Sequence, residues 1–76
     1  MMYMLPELTD RENEILKLIA GGLSNRENSN RLFISESTVE NHIHNIYEKL
    51  DIANRAQAVA LAYQTGVALV NEVLER

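Results

Sequence analysis

Four times along this chain a residue that caps helices stands directly ahead of a helix-forming run: Thr9, Ser24, Ser35 and Asn54. A cap of this kind accepts a hydrogen bond from a backbone N–H that the first helical turn leaves unpaired, so it fixes where a helix begins. Two of the four have Glu three residues on, Glu12 after Thr9 and Glu27 after Ser24, which is the spacing of a reciprocal capping box. The first helix is therefore expected from Asp10. Ile15, Leu16, Leu18 and Ile19 recur along it at helical spacing, Leu8 is available as a staple before the cap, and Gly21 and Gly22 supply a left-handed stop. The second run, "NRENSNRL", is weakly encoded, with three Asn and only Leu32 as a large apolar residue. The third is the longest well-patterned helix: after Ser35, Val39, Ile43, Ile46 and Leu50 repeat at four, three and four residues. After Asn54, "RAQAVALAYQ" is alanine-rich and helical, and Gly66 marks a stop or bend. "VALVNEVLER" reads as a short frayed helix or a continuation of the fourth. No strand, linker, repeat or low-complexity tract interrupts this, so residues 1–76 are expected to form one all-α domain of four helices with a short C-terminal helical extension, residues 64–76.

Seventy-six residues are enough for a single core with a thin stability margin, so each buried polar group matters. The chain has no Cys, which excludes a disulfide framework and a thiolate metal site and fits a reducing cytoplasm. No apolar run reaches membrane-spanning length, and "MMYMLPEL" lacks the basic start and cleavage site of a secretory signal. A cytoplasmic protein without a membrane partner is expected. The net charge of −4 runs against the basic excess that phosphate contacts usually require.

Two short helices joined by the tight "LFIS" connection fit a helix-turn-helix, whose second member enters the major groove. The segments "LTDRENEILKLIAGGLSNRE" and "RLFISESTVENHIHNIYEKLDIANRAQAVALA" resemble the LuxR-type (GerE-like) DNA-binding domain of bacterial transcription regulators. The resemblance covers residues 8–63. It rests on Leu8, Thr9, Arg11, Glu12, Leu16, Gly22, Ser24, Glu27, Leu32, Ile34, Ser35, Thr38, Val39, His42, Ile46, Lys49, Leu50, Arg55 and Ala58. It implies a four-helix domain in which the second and third helices form the reading unit, the fourth mediates dimerisation on paired half-sites, and double-stranded DNA is the partner. Domains of this kind usually sit at the C-terminus of response regulators or quorum sensors, and stand-alone members exist.

This chain departs from the family pattern in two places. After "SNRE" the family expects a large aliphatic residue and then Ala, tucked between the second and third helices, whereas Asn28 and Ser29 stand here. A buried amide without a partner costs roughly 1 to 3 kcal/mol, against the ~5 to 15 kcal/mol that keeps an ordinary domain folded. Either Asn28 finds a backbone or water partner and the fold adjusts locally, or the second helix rearranges or exchanges with a partner chain. The other departure is on the reading helix, where Glu40 replaces a common Lys or Arg and His44 occupies a position often used for base contact. Glu36, Glu40, His44 and Glu48 form one stripe at i,i+4 spacing, away from the Val39/Ile43/Ile46 face. An anion facing phosphates weakens binding, although Glu can accept from cytosine N4. The remaining grip is thin: Arg26, Arg31, Lys49 and Arg55, with Asn25, Ser35, Ser37, Thr38 and Asn41 as neutral donors.

The other readings of these residues are bland. Glu40 and His44 make too few ligands for a metal site and read as a solvated face, and His42 reads as a partly buried packing residue. Ser35, Ser37 and the two His lie on one short helix with no glycine-rich loop or oriented triad, so no catalytic residue, cofactor or small-molecule substrate is expected. On the fourth helix Val59, Ala62 and Tyr63 share a face, and beyond Gly66 the residues Val67, Val70, Val73 and Leu74 add an apolar strip. Homodimerisation through Val59, Ala62, Tyr63, Val67 and Val70 is the expectation, with packing on the first helix as the alternative. Two functions follow: a dimeric DNA-binding transcription regulator domain of weakened affinity, with helix 35–50 in the major groove, or a LuxR-like interaction module that has lost DNA binding and modulates other regulators.

Overall fold

The computed structural model describes residues 4–68, and among them there are four helices and no strand. They are α1 (Asp10–Ala20), α2 (Asn25–Leu32), α3 (Glu36–Leu50) and α4 (Arg55–Thr65). The expected helix within the last residues, with Val70, Val73 and Leu74, lies outside the described residues.

Each helix begins where its cap predicts. The Glu12 amide donates to Thr9 Oγ1 at 3.1 Å while the Thr9 amide donates to Glu12 Oε1 at 2.9 Å. Ser24 and Glu27 make the same reciprocal pair at 3.1 and 2.8 Å. Ser35 Oγ accepts from the Thr38 amide, and Asn54 Oδ1 accepts from the Gln57 amide. The ends divide differently. Gly22 and Gly66 are left-handed, at φ 91° and 83°, so the glycine stops fall where a missing Cβ is needed. The stops of α2 and α3 are Phe33 at φ 58° and Asp51 at φ 55°. For an L-residue that conformation costs roughly 1 to 2 kcal/mol. At Phe33 it frees the chain to turn sharply, and the Phe33 and Ile34 amides both donate to the Ser29 carbonyl.

The core is built from Ile15, Leu16 and Ile19 of α1, Val39, Ile43 and Ile46 of α3, and Ala58 and Ala62 of α4. Helix α1 lies between α3 and α4, and α2 packs on α3. The alanines of α4 let it approach α1 closely, and Tyr63 ties the two by donating its hydroxyl to the Ala20 carbonyl at 3.1 Å. At roughly 1.5 to 3 kcal/mol for each large aliphatic side chain fully removed from water, the α1 and α3 stripes supply most of the drive to fold. From α2, by contrast, the buried residues are Asn28 and Ser29. Helix α2 is thus held by its caps and neighbours more than by apolar burial.

Candidate nucleic-acid interface

Because Val39, Ile43 and Ile46 turn inward, the opposite side of α3 is left to solvent. Ser37, Glu40, Asn41, His44 and Glu48 are all exposed there, and Glu36 is exposed at the helix start. Thr38 is half-buried and shares a 2.8 Å hydrogen bond with the Ser35 hydroxyl, so both serve the cap. His44 Nε2 lies 3.5 Å from Glu48 Oε1, with both side chains mostly in water, a pairing worth little. No hydrogen bond or ion pair engages Glu40 among the described residues. His42 is half-buried.

The cations expected to hold phosphates are not equally available. Lys49 Nζ donates to Glu12 Oε1 at 2.8 Å, and Glu12 is only 3% exposed. Burial alone pushes the Glu12 carboxyl up. The hydrogen bonds from Lys49 and the Thr9 amide, the Lys49 charge and the Thr9 side chain together outweigh it and hold Glu12 below its ordinary value of 4.5. One carboxylate oxygen therefore closes the α1 cap and anchors the last turn of α3. Arg55 is similarly engaged: Nη1 donates to Asn25 Oδ1 at 3.0 Å and Nη2 to the Leu23 carbonyl. This clasp fastens the start of α4 to the start of α2 and occupies Asn25 as well. Arg26 and Arg31 stand exposed on α2. Of the ten sequence-derived DNA contacts, Ser37, Glu40, Asn41 and His44 share the outer face of α3, Arg26 is exposed on α2, and Asn25, Ser35, Thr38, Lys49 and Arg55 already have partners within the fold.

Two further expectations change. Asn28 is fully buried, and its Nδ2 donates to the Ser24 carbonyl at 3.1 Å, but its Oδ1 has no partner among the described residues. The amide is half satisfied, and α2 keeps its place in the chain. Ser29 Oγ donates back to the Arg26 carbonyl at 2.7 Å. On α4, Ala62 and Val67 are 0% and 2% exposed and belong to the core, so they cannot form a pairing surface. The alanine face that would admit a partner helix is the one α1 occupies. Val59 and Tyr63 are half-buried, and Val70 lies outside the described residues.

Residues 6–62 match the family model of the bacterial regulatory proteins of the luxR family. This chain belongs to that family. The chain is similar to curated regulators: the transcriptional regulatory protein LnrK of Bacillus subtilis (strain 168) is 42% identical over 65 residues, covering 86% of this chain and 30% of LnrK. The uncharacterized response regulatory protein YgeK of Escherichia coli (strain K12) is 44% identical over 64 residues, 84% of this chain and 44% of YgeK. Among solved structures, the transcription factor GerE superposes with a TM-score of 0.76 at 38% identity, covering 86% of this chain and 97% of GerE. The chain thus spans less than half the length of either regulator, and its α2–α3 pair is the helix-turn-helix of a LuxR-type DNA-binding domain of transcription regulators.

Two side chains that organise this LuxR-type unit escaped the sequence reading. Asn13, 4% exposed, holds the N-terminal turn by accepting from the Leu5 amide at 2.8 Å and donating to the Leu5 carbonyl at 3.0 Å. Glu12 was visible as a capping residue, but its second partner lies 37 residues away. No local pattern signals that.

Proposed function

We propose that this chain binds duplex DNA as the output unit of a transcription regulator, with α3 in the major groove. The observation that carries the reading is the exposed outer face of α3, polar from Ser37 to Glu48 and covered by no packed element among the described residues, in a chain whose family is that of bacterial regulators. Arg26 and Arg31 supply the phosphate grip from α2, while Lys49 and Arg55 hold the helices that present the reading face. With few free cations and three carboxylates on α3, affinity is weak, and because few counterions are released on binding its salt slope is shallow.

Binding as a dimer is part of the proposal. Ala56 and Ala60 are exposed and Val59 and Tyr63 half-exposed along one side of α4, away from the buried Ala58 and Ala62. That side replaces the one inferred from sequence.

The second reading, an interaction module that has lost DNA binding, draws on the exposed Glu36, Glu40 and Glu48. Fluorescence anisotropy with labelled duplexes at low salt, for the parent and for Glu40→Lys, decides between the two. Micromolar binding by the parent that weakens as salt is raised supports the DNA reading. Binding by Glu40→Lys alone favours the interaction module.

A further inference from the structure

Three carboxylates lie on the outward side of α3, and two have a local reason to be there. Glu36 is the first residue of the helix, where a negative charge is favoured by the unpaired amides. Glu48 sits 3.5 Å from His44 in the last turns. Glu40 has neither: it is exposed in the N-terminal half of α3, has no partner among the described residues, and is flanked on the same side by Ser37 and Asn41. In a helix-turn-helix that half of the second helix meets base edges. No cation pairs with it among the described residues, and Lys49 and Arg55 are committed to Glu12 and to Asn25 and Leu23.

We infer that Glu40 is a specificity-determining residue that selects cytosine in the major groove. This rests on the DNA-binding reading. An ionised carboxylate offers only acceptors, so it can engage only the base edges that carry donors, cytosine N4 and adenine N6. On adenine the donor adjoins the N7 acceptor, which a carboxylate cannot satisfy and which repels it. On cytosine the neighbour is a C–H. Guanine and thymine present acceptors at the equivalent place and are rejected. Glu40 therefore lowers affinity for every duplex through its charge and lowers it least where a cytosine stands opposite.

The substitution Glu40→Gln separates these effects, because Gln keeps the length, removes the charge and adds the donor that adenine N7 needs. The experiment is selection from a pool of duplexes with a randomised central segment, at low salt, using the full chain and its Glu40→Gln, Glu40→Ala and Glu40→Lys variants. The parent is expected to enrich cytosine at one half-site position by about five- to tenfold, the low end for a base contact. Glu40→Gln is expected to move that position to adenine with the others unchanged, and Glu40→Ala to lose the preference there. If the parent and Glu40→Gln enrich the same base at every position, the assignment is overturned while DNA binding stands. If the parent retains no duplex and Glu40→Lys does, the DNA-binding reading falls and the assignment with it.

Discussion

Replacing Asn28 by Ile together with Ser29 by Ala should stabilise this domain, and the structure gives the size of the effect. Asn28 is fully buried with an unpartnered Oδ1, a defect of about 1 to 3 kcal/mol. Its Nδ2 bond to the Ser24 carbonyl is lost on substitution, but that carbonyl still accepts the Asn28 backbone amide at 2.9 Å, so no new orphan appears. The loss is therefore that of one ordinary hydrogen bond, about 1 kcal/mol. Burying an aliphatic side chain in its place returns about 1.5 to 3 kcal/mol, less the strain of fitting a branched group. Ser29→Ala removes a hydroxyl that bonds back to the Arg26 carbonyl and contributes a few tenths through helix propensity. The sum is a gain of roughly 2 kcal/mol. In a domain of this size each kcal/mol moves the melting temperature by about 4 to 8 °C, so a rise of roughly 8 to 16 °C is expected. Thermal unfolding followed by circular dichroism measures it, and a raised urea midpoint with an unchanged slope shows that stability has changed and not the surface exposed on unfolding. A melting temperature equal to or below the parent's would refute the account of α2 as a helix weakened by a half-satisfied amide.

Other perturbations separate the struts from the reading face. Glu12 titrates below 4.5 in the fold, so its contribution is present above that pH and lost as pH falls through the depressed value. The urea midpoint of the parent should drop more steeply below pH 4.5 than that of Glu12→Gln, and parallel curves would contradict the assignment. Lys49→Met strands the Glu12 carboxylate; because Lys49 is partly exposed the cost falls between that of an exposed and that of a buried ion pair, about 1 to 3 kcal/mol in unfolding experiments. The same variant should leave the salt slope of DNA binding unchanged, whereas Arg26→Ala should shrink it by about 0.9, and a smaller slope for Lys49→Met would return Lys49 to the phosphate grip. Ala60→Glu, on the outer side of α4, should convert a dimer to a monomer in sedimentation equilibrium and remove any dependence of the melting temperature on protein concentration; a parent already monomeric at high concentration would end the pairing proposal.

What could be read from the sequence was what local chemistry determines. Thr9, Ser24, Ser35 and Asn54 each bond to an amide three residues away, so their meaning does not depend on the rest of the chain. The same locality made Gly22 and Gly66 legible as stops. Phe33 was not, because nothing in its own chemistry favours the left-handed region, and Asp51, a residue type that tolerates that region, carried no signal strong enough to mark the stop. On α4 the small residues alternate so evenly that the chain alone does not say which side faces α1, and Ala62 was placed outward on that account. Lys49 and Arg55 resembled free surface cations until their partners, 37 and 30 residues distant, came into contact.

Committing those two cations has a consequence for the whole reading surface. The chain holds seven Lys and Arg in all, and Lys49, which follows the acidic stripe of α3 most closely, is turned inward onto Glu12. Lys49 and Glu12 neutralise each other, so Lys49 does not balance Glu40 and Glu48 on the outer face of α3. Stability and affinity are carried by different charges on one helix: Lys49 holds α3 against α1, while Glu40 makes no hydrogen bond or ion pair among the described residues. Glu40 can thus be exchanged for Lys, Gln or Ala without a structural penalty to obscure the result, whereas any change at Lys49 alters the placement of the reading helix before it alters its charge.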